Sequence, residues 1–161
     1  MTDRIPPIDF PGAGIVPELS DALLHSYRHA RYRVHAPGGN IDLHIDRPSA
    51  ALAKLLRIRG VRGAAFLTAS NPKSRIRPGG WNDAANRRLR NAVRALGLAT
   101  LPGVGLAERG RWPGEQSLLV LGISRAQALH LGRRFEQHAV VWMESDARPV
   151  LLICREDADV R

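Results

Sequence analysis

Between an apolar run that ends at Leu67 and a helical repeat that opens near Asn82, the chain reads Thr68-Ala69-Ser70-Asn71-Pro72-Lys73-Ser74, followed by Arg75, Arg77 and Gly79-Gly80. Hydroxyl, amide and guanidinium groups gathered at a strand-to-helix junction suit the grasping of a small ligand. Asn71 precedes proline, which biases its backbone towards an extended conformation and holds its amide near the end of the strand, ready to donate and accept at once. Thr68 and Ser74 add hydroxyls. Asn82 is placed to cap the next helix, whose free N–H groups favour an anion, and Arg75 or Arg77 would complete a clamp on it. Asn86, one turn further on, looks back into the same pocket. The same residue types also satisfy turn backbone through local side-chain bonds, so a purely structural reading stays open.

Two further groups stand apart in the sequence. In Trp112-Pro113-Gly114-Glu115, a carboxylate lies beside an indole that excludes water, just before a buried strand. Such surroundings raise a carboxyl pKa into the range of a general acid or base, although pairing with an arginine is an equally good account of Glu115. In Arg133-Arg134-Phe135-Glu136-Gln137-His138, the helix dipole alone explains the arginines, while an inward-facing Gln137 needs a hydrogen-bond partner, backbone or ligand. No nucleophile with an adjacent base is visible. Asp42, His44 and Asp46 alternate as metal ligands do, but the facing strand would present Arg31, Arg33 and His35, so cross-strand charge pairs are expected instead of a metal. Gly103-Val104-Gly105 fails as a nucleotide fingerprint because no helix with a third glycine follows. Neither a cofactor nor a metal is expected.

Helical spacing places amphipathic helices over residues 17–30, 48–59, 82–96 and 124–135. Gly60 and Gly97 stop the second and third, and Ser124-Arg125-Ala126-Gln127 starts the fourth with a capping box. Period-two alternation places strands at 31–36 and 41–45, a hairpin around Pro37-Gly38-Gly39-Asn40, and apolar runs bounded by turn residues place further strands at 63–67, 98–106, 117–122, 139–143 and 150–153. Hairpins mixed with helix-linked strands do not give the strict alternation of a doubly wound fold. The expectation is a single α+β domain over 1–161, with 1–16 an irregular N-terminal segment, and a mixed or mostly antiparallel sheet of five to seven strands packed with three to four helices.

At 161 residues the chain is long enough to bury about 70% of its unfolded surface. The single Cys154 suits a reducing compartment, and no stretch reaches the ~20 apolar residues of a membrane span, so a cytoplasmic protein without membrane contact is expected. The formal charge of +9 invites a nucleic-acid reading. Against it, only Lys54 and Lys73 are lysines, a bias that a GC-rich genome explains. A dedicated binder would gather its cations on one face and interleave aromatic residues, yet these make up only 5% of the chain.

Taken together, Tyr27 with Tyr32, the run Thr68 to Ser74 with Asn86, Gly105, then Trp112-Pro113-Gly114-Glu115 with Ser117-Leu118-Leu119-Val120, and finally Ala128 to Ala139, resemble a bacterial family known as domain of unknown function 3293. The resemblance spans Tyr27 to Trp142 and implies a stand-alone bacterial domain without supplying an activity. Ser70 stands where an aromatic residue is expected, and Glu136 where glycine is. A more local similarity is to uracil and mismatch DNA glycosylases, whose base pocket is matched by Asn71-Pro72, Asn86 and Gly97-Leu98. The second half lacks their His-Pro-Ser loop, which leaves base excision a remote alternative.

These residues predict a domain that binds a small anionic or nucleotide-like ligand in a pocket made by Thr68, Asn71, Ser74, Arg75, Asn86, Trp112, Glu115, Arg134 and Gln137. In an enzyme, Glu115 would serve as acid or base, with Asn71 and Gln137 as orienters. The alternative is a basic nucleic-acid-binding or regulatory module with no catalytic site.

Overall fold

The computed structural model describes residues 19–108 and 113–154. Seven antiparallel strands form one sheet in the order β2-β1-β4-β5-β3-β6-β7, comprising β1 (Arg31–Ala36), β2 (Gly39–Leu43), β3 (Ala64–Leu67), β4 (Ala99–Leu106), β5 (Glu115–Leu121), β6 (Ala139–Met143) and β7 (Val150–Ile153). The helices are α1 (Asp21–His29), α2 (Ala50–Arg59), α3 (Gly79–Ala95) and α4 (Arg125–Arg134). The α+β class therefore holds, with antiparallel pairing throughout. The segment 1–16 and the first-turn residues Pro17 and Glu18 lie outside the described residues.

Alternation along the central strands divides the core into two layers. Phe66, Leu119, Leu121, Val141 and Met143 face one side, where Leu52 and Leu56 of α2 cover them. Leu67, Leu118, Val120, Val140 and Trp142 face the other, against Ala85, Leu89 and Val93 of α3 and Ala128 and Leu131 of α4. Strands buried on both faces read as continuous apolar runs, which is why β3 and β5 show no polar alternation.

Most boundaries follow local chemistry. Ser124 and Gln127 make the reciprocal capping box, and Ser49 and Ser20 each accept a helix N–H at 3.1 Å. Three expectations are corrected. The first hairpin turns tightly on Pro37-Gly38, with Ala36 opposite Gly39, so β2 covers 39–43 and Ile45 leaves the sheet for the core. Next, α3 begins at Gly79, one turn before Asn82, because Pro78 already sets the extended residue that precedes a helix. Lastly, Glu115 opens β5 instead of preceding it, since β4 runs far enough to pair Gly105 with it.

Candidate functional site

The register of β4 creates a hollow in the α2 side of the sheet. Tyr32, Gly105 and Glu115 form one cross-strand row, and Val34, Gly103 and Ser117 form the next. Both central positions lack side chains. Phe66 packs over Gly103 so closely that a Cβ there would sit 2.7 Å from its ring, whereas a Cβ at Gly105 would meet nothing nearer than Glu115 at 4.0 Å. The unfilled space at Gly105 opens into a cavity of about 320 Å³, roofed by Leu23 and Tyr27 of α1 and floored by Tyr32, Phe66, Val141 and Leu151. That is the size and apolar character of a small-molecule site. The pair Gly103 and Gly105, two residues apart on a strand, was the signal in the sequence; it marks removed side chains, not a nucleotide loop.

Polar groups converge at one end of this cavity, all from the loop after β3 and the elements it touches. The Asn71 side-chain amide donates to Glu115 Oε2 at 3.1 Å. Asn71 Oδ1 accepts from the Arg77 N–H and from Asn82 Nδ2, both at 2.9 Å, while the Asn71 N–H donates to Asn82 Oδ1 at 2.9 Å. Asn82 thus braces the loop from the first turn of α3. Its carboxamide pairing holds Asn71 at φ 48°, ψ 61°, so the extended backbone expected before proline is overturned. Asparagine tolerates the left-handed region better than most residues, and here four hydrogen bonds fix it there.

The strain extends along the loop. Lys73 (φ 53°) and Ser74 (φ 59°) are also left-handed, as is Glu136 (φ 55°), whose carbonyl accepts the Lys73 N–H at 2.7 Å. Glu136 occupies the position where the resemblance called for glycine, and its backbone conformation accounts for that expectation. Four left-handed non-glycine residues clustered beside one cavity are the kind of strain that binding and catalytic sites hold.

Thr68, Asn71, Ser74, Glu115 and Gln137 all line the cavity. Gln137 Nε2 donates to the carbonyls of Ser70 (3.1 Å) and Phe135 (3.2 Å), and among the described residues no group donates to its Oε1. Thr68 Oγ1 donates to the Gln116 carbonyl at 2.7 Å. Tyr27, Tyr32, Phe66 and Ser117 complete the site without having been singled out as ligand contacts in the sequence. Ser117 lies two residues along β5 from Glu115, so strand alternation was the available signal. The Tyr27 hydroxyl shares a hydrogen bond with Ser74 Oγ, and Tyr32 Oη donates to the Tyr27 carbonyl at 2.6 Å, pinning α1 to the loop and the sheet. Burial pushes the Tyr27 phenol up to about 12, against the opposing effect of the Ser74 bond, and burial also raises Tyr32. Both remain neutral hydroxyls at physiological pH.

The other anticipated residues lie elsewhere. Asn86 is buried behind the loop, accepting the Ala69 N–H and donating to Ser70 Oγ, both at 2.9 Å, and does not reach the cavity lining. Arg75 and Arg134 are exposed and outside the lining, with the Arg134 guanidinium 5.5 Å from the Phe135 ring centroid. Trp112 lies outside the described residues. The cross-strand charge pair expected on the first hairpin forms: Arg33 donates to Asp42 at 2.8 Å, a contact that holds the Asp42 carboxyl below the usual range. Among the described residues no helix is long and apolar enough to cross a membrane.

No curated protein and no solved structure matches the chain. A family model described as Protein of unknown function (DUF3293) matches residues 67–140, a narrower span than Tyr27 to Trp142. That stretch supplies Thr68, Asn71, Ser74, Glu115 and Gln137 to the cavity, and across it the chain resembles the DUF3293 family.

Proposed function

We propose that the cavity beneath α1 binds a small, flat, largely apolar molecule of nucleobase or nucleoside size, which presents hydrogen-bond donors to Glu115 and to Gln137 Oε1. The observation that carries this reading is the strained Asn71 loop, which aims an amide at the Glu115 carboxylate at the mouth of an otherwise apolar, aromatic-walled space. A buried amide of fixed orientation distinguishes donors from acceptors, because a mismatched ligand leaves it unpaired. Among the described residues no arginine or lysine lines the cavity, so the ligand is expected to be nucleotide-like in its base and not recognised there by an anionic group. Both tyrosines stay protonated, which leaves Glu115 as the lining group suited to exchange a proton with a bound molecule. A cytoplasmic setting is part of the same reading, in keeping with the lone Cys154 as a free thiol.

The test is thermal denaturation of the full chain with the free nucleobases and nucleosides, beside Glu115→Gln. A ligand at about 100 times its Kd should raise the melting temperature by about 5 to 10 °C, and Glu115→Gln should abolish the rise. Failure of every probe, or a rise of equal size in the variant, would overturn the proposal.

A further inference from the structure

The positive charge absent from the cavity gathers on a different surface. The outward side of α3 carries exposed Arg87, Arg88 and Arg94, and Asp83 is the single acidic residue of that helix. Exposed Arg77 precedes the helix and lies 5.3 Å from the ring centroid of Trp81, itself 39% exposed. No carboxylate pairs with Arg77, Arg87, Arg88 or Arg94 among the described residues. Arginines without ion-pair partners among the described residues, on one helix with an indole open to solvent at its first turn, are the combination that sequence composition alone did not reveal. Neither helix packing nor the cavity uses them, since α3 faces the core through Ala85, Leu89 and Val93.

We infer that this face of α3 binds single-stranded nucleic acid. The guanidinium groups would track successive phosphates along about 20 Å of helix between Trp81 and Arg94. Trp81 would stack on an unpaired base, with Arg77 supporting the ring from its other side. An unstacked base is required for that contact, which is why a single strand fits better than a duplex. A lipid surface fits less well, because among the described residues only Ile76, Trp81 and Leu96 add large exposed apolar area along this helix, and they lie at its two ends.

The experiment is fluorescence polarisation of a labelled fifteen-nucleotide thymidine strand with the full chain between 50 and 200 mM KCl. The three phosphate-tracking arginines, Arg87, Arg88 and Arg94, predict a log–log salt slope of about −2.1, and Arg87→Ala with Arg94→Ala should bring it to about −0.7. Trp81→Ala should weaken binding at least about fivefold while leaving the slope in place. Arg57→Ala, an exposed arginine of α2 on the other core layer, should bind the strand as the parent does. The inference is overturned by no binding at 50 mM KCl, by a slope indifferent to the double variant, or by binding to anionic phospholipid vesicles in the absence of any to the strand. Because the cavity proposal is read with uncharged nucleosides and Glu115→Gln, either can fail alone.

Discussion

Asn71 donates its side-chain amide to the Glu115 carboxylate at 3.1 Å although 44 residues separate them in the chain. The contact joins the loop after β3 to the first residue of β5. A carboxylate held by an amide has one oxygen oriented before any ligand arrives, which lowers the ordering cost of binding.

Replacing Asn71 separates strain from bonding. Asn71→Ala removes the side-chain bonds to Glu115, the Arg77 N–H and Asn82 Nδ2, keeps the backbone bond to Asn82, and leaves a Cβ in the left-handed region, so it should destabilise the fold by about 2 to 4 kcal/mol. Asn71→Gly loses the same side-chain bonds but adopts φ 48° freely, and should cost less. Urea titration reads both. A glycine variant no more stable than the alanine variant would rule out backbone strain at this position.

Glu136→Gly should do the opposite of most substitutions. Glu136 is exposed at φ 55°, and its backbone, not its side chain, bonds Lys73. Glycine removes the left-handed penalty at some cost in unfolded-chain entropy, for a net gain of about 0.5 to 1 kcal/mol. A denaturation midpoint that falls would mean that the carboxylate makes a stabilising interaction of its own.

Gly105→Val tests whether the hollow is there to be filled by something else. A Cβ at this position has no neighbour closer than 4.0 Å, and valine suits a strand, so the variant should match or exceed parental stability by up to about 1 kcal/mol. Its methyl groups would occupy the space between Tyr32 and Glu115, and ligand binding should disappear. Retained binding in a stably folded variant would place the ligand elsewhere.

The alkaline limb of stability should have three named sources, the Cys154 thiol and the phenols of Tyr27 and Tyr32, all of which burial holds neutral. Burial pushes the Cys154 thiol up to about 11 from its ordinary 9.0, and the Tyr27 phenol to about 12 from 10.0. Groups that resist ionisation when folded ionise first in the unfolded chain, so their stabilising effect is complete below the unfolded values and lost as pH rises. Urea midpoints should hold to about pH 9 and then fall towards pH 12. Cys154→Ala should flatten the part between 9 and 11. An unchanged slope there would exonerate the thiol.

On the acid side, His138 loses basicity through burial and then through the nearby charge of Lys73. Its depressed pKa makes neutral His138 favourable when folded, a contribution present above the ordinary 6.5 and lost as pH falls below it. His138→Phe should weaken the pH dependence of urea midpoints on that limb, and an identical acid limb in the variant would assign it to the carboxylates.

The sequence by itself determined the pieces whose causes are local. The bounds of β1, β6 and β7 and the Ser124 capping box follow from spacings of two or three residues, and those interactions form wherever the chain goes. That Asn71 and Gln137 would need hydrogen-bond partners was legible for a related reason: such polar groups at the ends of apolar strands must find them. Tertiary structure decided the rest. Whether Gly105 stands between Tyr32 and Glu115 depends on the register of three strands. Whether Asn71 turns left-handed depends on Asn82, eleven residues away, overriding a proline preference. The arginines became a surface only when α3 turned its apolar side inward and left them together in solvent, an outcome of burial that composition, which averages over the whole chain, does not contain.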